Sequence, residues 1–599
     1  MKFHRFLLSV LTVMLLFSIS MPAFGAETAK EIKLGIPKDE KTLNPYTYES
    51  GYPGLELVNL LYDPLFLLDQ NNKPVPWLVK EFTVSEDGKQ YKFQLHDNIK
   101  WQDGKQLTSE DVKFMYEYVL KYNRGRFTKP AKAIKSIQTP DPTTVIMELN
   151  QPEPDFFIQP LADLPILPKH KWSSITNPDQ STDSLGSGPY ILEEYKQGQY
   201  YKFKAFQDYF KGKPPIESLI VPIIEDPTAT FTALKSGELD VVSRTVQPEL
   251  AKEFENNPNI KLTRGTGFST TLLQFNAEKY PLSEKAVREA ISLAIDPQYL
   301  VDTVLLGYGT KGSPGFVHPK SPFYNSNVVH QTDIEKAKSV LEAAGFKDID
   351  KDGMRESPDG KKIELVNLVA SDSPTRIRSA EIVTEWMKQI GLNVSVRAMD
   401  SNTVVSMVWP EYEVTKGRNY DMAIWGWSST MQLFPARMVE LFYSDLEIGN
   451  TNIGAFKSEA FDKLADQLKG TIKPDERQQI INKMQEQVAS DYPLVPLYYE
   501  EVTNAFNPNK YNGWVFQDGK GIINKLSFVT NNGVSGTTDK QTGTQSSSAG
   551  SAPTQQESTN ANTGKGSNSL LVLGIILIVV VGGWYLIKKK KDDKNRPSV

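Results

Sequence analysis

Hydrophobic and polar positions follow two periods through the middle of the chain and give way to unbroken apolar runs near its two ends. Ile32-Lys33-Leu34-Gly35-Ile36 and Tyr91-Lys92-Phe93-Gln94-Leu95 predict strands, the second by clean alternation. Ser109-Glu110-Asp111 predicts the cap of a helix running through Tyr118 and Leu120. A second helix is expected from Ser283, with Val287, Ala290, Ile291, Ala294 and Ile295 at helical spacing. Glu335 to Ala344 predicts a third, stopped by Gly345. Thr375 to Ile390 predicts a fourth, which Gly391 ends before the strand Val394-Ser395-Val396. The body, residues 26–530, is therefore of mixed α/β class. At about 500 residues it exceeds a single core, so at least two lobes are expected.

The terminal runs read differently from each other. Phe6 to Ser20 is almost wholly apolar behind Lys2, His4 and Arg5, and Pro22-Ala23-Phe24-Gly25 puts small residues where a signal peptidase reads them. Residues 1–25 are thus expected to be an export signal. Leu570 to Ile587 is an uncharged run of 18 residues followed by Lys588 to Lys591. As a helix it would reach about 27 Å, close to a bilayer core. The expectation is a transmembrane helix over 569–587 with a cytoplasmic tail at 588–599, hence a single-pass protein of the cell membrane with its body outside. No Leu-Pro-x-Thr-Gly sequence precedes the run, so attachment to the cell wall is not expected. Residues 531–568, from Gly536-Thr537-Thr538 through Gln545-Ser546-Ser547-Ser548 to Gly564-Lys565-Gly566, lack aromatic residues and predict a disordered tether.

Composition narrows the chemistry. The formal charge of -5 over 599 residues, without a basic stripe, argues against nucleic acid. With no cysteine, the exported body folds without disulfides and carries no lipidated Cys. His4, His96, His170, His318 and His330 show no metal-binding spacing, and neither a Gly-x-Ser-x-Gly elbow nor a P-loop is present. Gly186-Ser187-Gly188 precedes Pro189 and a strand rather than a helix. No enzyme and no cofactor is expected. Asp348, Asp350, Asp352 and Asp359 have the spacing of a calcium loop with Asp as the last ligand. Lys361 to Val369 looks like a strand where such a loop needs a helix, and a polar turn is the favoured reading.

The body resembles the family 5 extracellular solute-binding proteins, the dipeptide-, oligopeptide- and nickel-binding group. The resemblance rests on a series of segments in order. Leu95-His96-Asp97-Asn98-Ile99-Lys100-Trp101 through Asp103-Gly104 to Ser109-Glu110-Asp111-Val112 is the first, and Gly186-Ser187-Gly188-Pro189-Tyr190 the second. Asp208-Tyr209-Phe210, Gly212-Lys213-Pro214 and Leu234-Lys235-Ser236-Gly237-Glu238-Leu239-Asp240 follow. Val287-Arg288-Glu289-Ala290-Ile291 with Ala294-Ile295-Asp296 and Gly307-Tyr308-Gly309, then Tyr420-Asp421-Met422 with Gly426-Trp427, complete the series. It implies a two-lobed, periplasmic-binding-protein-like fold of type II in its three-domain variant. Lobe I would comprise about 26–70, 186–268 and 506–530, the inserted domain about 71–185 and lobe II about 269–505. It also implies a monomeric receptor that closes on a small ligand and delivers it to the permease and ATPase subunits of an ABC importer.

In peptide-binding members a Gly-Trp-x-x-Asp segment supplies a carboxylate to the peptide's ammonium group. This chain has Gly426-Trp427-Ser428-Ser429-Thr430, with the acid missing. The loss amounts to a charge-assisted hydrogen bond of roughly 1.5–3 kcal/mol. Glu49 or another acid could replace it, or the ligand lacks an ammonium group and is an oligosaccharide stacked on tryptophan. A hydrolase or a signalling co-receptor is a third reading. The resemblance places Trp425, Trp427, Ser428 and Thr430 at the ligand, faced by Glu49, Ser50 and Gly51 from the other lobe. Trp425 and Trp427 are expected on opposite faces of their strand, so that only one reaches ligand.

Overall fold

The strand expected at Ile32–Ile36 forms as Ala29–Gly35 in the computed structural model, which describes residues 28–46, 54–122, 128, 130–428, 434 and 436–529. Ile32 and Leu34 are buried, and both edges of the strand are taken. Ile216–Pro222 runs parallel on one side and Val241–Val242 on the other. The complete seven-stranded order is Lys261–Gly265, Val502–Phe506, Val241–Val242, Ala29–Gly35, Ile216–Pro222, Tyr200–Ala205 and Tyr190–Lys196. A six-stranded sheet orders Gly309–Lys311, Leu494–Glu500, Thr270–Phe275, Met422–Trp427, Leu365–Ala370 and Val394–Met399. A third sheet is antiparallel throughout: Val79–Val84, Gln90–Leu95, Thr144–Leu149, Ile134–Asp141. In it Tyr91, Phe93 and Leu95 point inward, as their alternation requires.

The helices stand close to their expected places. Ser109–Lys121 is capped one residue earlier than expected, where the Thr108 N–H donates to the Asp111 carboxylate at 2.8 Å. Lys285–Ala294 begins two residues after Ser283. Ile334–Ala343 and Pro374–Gln389 are each followed by a left-handed glycine, Gly345 (φ +87°) and Gly391 (φ +85°), which a side chain would strain.

The segments that carried the resemblance are joints. Gly188 N–H donates to the Leu61 carbonyl at 2.8 Å, and a Cβ on Gly186 would overlap that same carbonyl, so only glycine lets this turn lie on the helix Gly54–Leu61. Ser187 and Tyr209 both donate to the buried Asp63, at 3.1 and 3.0 Å. Arg288 is buried and donates to the carbonyls of Asp491 and Tyr492, both at 3.0 Å, satisfying the end of the helix Pro474–Asp491.

Among the described residues, two strand connections pass directly between the large sheets, Gly265 to Thr270 and Glu500 to Val502. They run side by side, because Thr263 pairs with Asn504 on one side and Thr270 with Tyr499 on the other. Arg264 pairs with Glu501 beside them. The chain divides into two units, Met1–Ser535 and Gly536–Val599, and all described residues belong to the first. Among the described residues no helix is long and apolar enough to cross a membrane. The run 570–587 and the tether 531–568 lie outside them.

Candidate functional site

Strand direction decides where a site can form on the six-stranded sheet. Leu365–Ala370 runs parallel to both Val394–Met399 and Met422–Trp427, while Thr270–Phe275 is antiparallel to Met422–Trp427 and to Leu494–Glu500. Four strands therefore end along one edge, and a crevice outside the carboxyl ends of strands is where open α/β sheets take ligands. Pro374–Gln389 begins at this edge with Ser373 as its cap, and Ser401–Val408 begins there with Asp400 as its cap. Both passages to the seven-stranded sheet leave from it.

Trp425 and Trp427 share one face, contrary to the expectation of opposite faces. Their ring centroids are 6.2 Å apart, and both pack into one cluster with Leu272, Leu368 and Val404. The reason is elementary: side chains alternate with period two, so residues two apart on a strand point the same way. Trp409 lies 5.7 Å from Trp427 and 5.4 Å from the exposed Tyr412, extending the aromatic group. The buried indole nitrogens of Trp409, Trp425 and Trp427 have no hydrogen-bond partner among the described residues.

The intervening Gly426 explains a residue the sequence reading missed. A Cβ there would overlap Nη2 of Arg376, so the guanidinium lies directly across bare backbone. A glycine between two tryptophans inside a strand was the available signal for that close approach. Glu500, at the end of its strand, is half-buried and accepts from Thr271 Oγ1 at a long 3.5 Å. Burial pushes its carboxyl up, and Arg376 with the Thr271 hydrogen bond pulls it back. Tyr498, two residues before it, meets Ser379 at 2.9 Å.

Ser428 is exposed at the end of the tryptophan strand. Glu49, Ser50, Gly51 and Thr430 lie outside the described residues. In the acidic loop, Asp350 and Asp352 both pair with Lys362 at 2.8 Å, and Asp359 pairs with Lys361 and Ser357. The carboxylates of Asp348, Asp350 and Glu356 lie within 4.8 Å of one another. The segment after the loop continues into the strand Leu365–Ala370. A cavity of about 260 Å³ lies apart from this edge, lined by Lys41, Leu43, Asp183, Tyr195 and Tyr201 and by no residue of the six-stranded sheet.

Two family models match different parts of the chain. The model of bacterial extracellular solute-binding proteins, family 5, matches residues 73–450. The oligopeptide-binding protein AppA of Bacillus subtilis is 26% identical over 499 residues, covering 81% of this chain and 89% of its own length. The nickel-binding periplasmic protein of Escherichia coli is 28% identical over 397 residues, 63% of this chain and 73% of that protein. Among solved structures, the ABC transporter substrate-binding protein CtaP of Listeria monocytogenes superposes with a TM-score of 0.74 at 26% identity. That match covers 84% of this chain and 100% of that one. The fold is periplasmic-binding-protein-like.

The second model, the LPXTG cell wall anchor motif, matches residues 562–594 and overturns the expectation of a single-pass membrane protein. The match begins at Asn562-Thr563-Gly564, a Thr-Gly pair without the Leu-Pro of the motif's name. An apolar run followed by lysines is common to a membrane anchor and to a wall-sorting tail, so hydropathy alone does not separate the two.

Proposed function

The chain belongs to the family 5 bacterial extracellular solute-binding proteins, and from that membership we propose that it captures peptides outside the cytoplasm and hands them to an ABC permease. It is a receptor and not an enzyme. Two lobes, built on the seven- and six-stranded sheets, would close over the ligand about the paired passages 265–270 and 500–502, with the four-stranded sheet as an insert. The observation that carries this reading is the carboxyl edge of the six-stranded sheet. It offers aromatic surface at the half-buried Trp425, a cation at Arg376 and a carboxylate at Glu500, the three chemistries that a peptide's side chains and ends require. The relatives named for oligopeptide binding support the same class. One observation favours an oligosaccharide instead: three buried indole N–H donors beside that edge have no acceptor among the described residues.

The full chain, mixed with a pool of short peptides and separately with an oligosaccharide pool, should show a thermal shift with the peptides only. Stabilisation follows RT ln(1 + [L]/Kd), about 2.7 kcal/mol at a hundredfold excess over Kd. A shift with oligosaccharides alone, or new products in either pool, would sink the peptide-receptor reading.

Retention at the cell surface is expected to be covalent and through the wall, by residues 562–594. Muramidase digestion of intact cells should release the protein with a ladder of attached wall fragments. Extraction of protoplast membranes with mild detergent should yield almost none. Quantitative recovery from washed protoplast membranes would refute wall attachment.

A further inference from the structure

The acids at the carboxyl edge of the six-stranded sheet have assigned tasks, with one exception. Asp400 caps its helix by accepting from the Thr403 N–H at 3.0 Å, and Asp372 accepts from Ser401 Oγ at 2.7 Å. Glu501 is held by Arg264. Glu500 has only the 3.5 Å contact from Thr271, and among the described residues no cationic nitrogen lies within 4.0 Å of it. A half-buried carboxylate left in this condition is costly unless something else satisfies it.

Its position says what that something is. Glu500 is the last residue of its strand before the chain passes to the seven-stranded sheet, so it stands on the floor between the two sheets. Thr271, its one donor, pairs with Gly426 on the next strand, which is where the Arg376 guanidinium lies. Arg376 is near enough to favour the ionised carboxylate but forms no ion pair with it. A half-buried carboxylate with one long hydrogen bond and no ion pair, at the mouth of a crevice, is built for a cation that arrives with the ligand.

We propose that Glu500 is the ligand-facing acid of this receptor and that it binds the free amino terminus of a captured peptide, with Thr271 orienting the carboxylate. The assignment rests on the peptide reading above and extends it: it names the residue that distinguishes a free from a blocked amino terminus.

The test is calorimetry of the full chain, wild type and Glu500→Gln, against a pool of short peptides and the same pool N-acetylated. Wild type should prefer the free pool by about tenfold to a hundredfold, the worth of a charge-assisted hydrogen bond. Glu500→Gln should lose that preference, and an unchanged melting temperature of the variant shows that it is folded. If Glu500→Gln keeps the preference, Glu500 is not the acid, though the peptide reading stands. Equal binding of both pools by wild type would likewise overturn the assignment and leave the peptide reading standing. If wild type binds neither pool, the peptide reading itself fails and takes the assignment with it. Should Glu500→Gln bind neither pool, Glu500→Asp decides. Restored preference for free peptides supports the assignment, and continued loss with a lowered melting temperature makes Glu500 a structural residue and overturns it.

Discussion

Replacing Lys525 with methionine should destabilise the folded chain by about 3–5 kcal/mol, the cost of leaving a buried charge without its partner. Lys525 is 2% exposed and the Asp63 carboxylate it pairs with is 0% exposed. Asp63 also accepts from Trp77 Nε1 at 2.8 Å, Tyr209 at 3.0 Å and Ser187 at 3.1 Å, while the Lys525 ammonium donates to the Tyr62 carbonyl at 2.7 Å. Four segments of the chain thus converge on the carboxylate of a fifth. In Lys525→Met the three neutral donors remain but the compensating cation is gone. Against a total of about 5–15 kcal/mol, that loss is large. The urea midpoint should fall markedly, and Asp63→Asn in the same chain should restore part of it, because the uncompensated charge is then absent. A single variant that unfolds within about 1 kcal/mol of wild type would show that the pair is not buried in this way.

Gly267→Ala should weaken ligand capture by more than about tenfold. A Cβ on Gly267 would overlap the Glu500 carbonyl oxygen and press on the carbonyl carbons of Glu500 and Glu501. The obstacle is backbone against backbone, so no rotamer change relieves it, and the two passages between the sheets must separate. Overpacking of this kind costs about 1–3 kcal/mol or more. It also displaces Glu500 from Thr271 and Arg376, so affinity for the peptide pool should fall by more than about tenfold, as even small misplacements of a preorganised site do. Gly470 supplies the control. It ends the helix Glu459–Gly470 with nothing within 4 Å of an added Cβ, so Gly470→Ala should leave stability and binding unchanged or slightly improved. Wild-type affinity in Gly267→Ala would mean that the passages tolerate separation and do not position the site.

Much of the scaffold was legible in the chain because its signals are local. Alternation in Gln90–Leu95 is set by which positions are buried within one strand, and Gly345 and Gly391 end helices through their own backbone conformation. The resembling segments were legible for a related reason. Arg288, Ser187 and Tyr209 serve joints of the fold, and joints restrict residue type closely. Those segments reveal the family and say little about the ligand. The two misreadings also have physical causes. Trp425 and Trp427 were assigned opposite faces against the period-two rule that places them together. The tail from Asn562 onward shares its hydropathy with a membrane anchor, so the wall motif is not visible in hydropathy.

By itself, then, the sequence determined the class, the family and the order of strands and helices, since each depends on residues within a few positions of one another. Only the tertiary structure decided which strand ends share an edge. It brought Arg376 onto Gly426, 50 positions further along the chain, and put Glu500 opposite Thr271, 229 positions away. No periodicity encodes such meetings, because they follow from how strands distant in sequence order themselves in a sheet, and a binding site is made where those distant strands end.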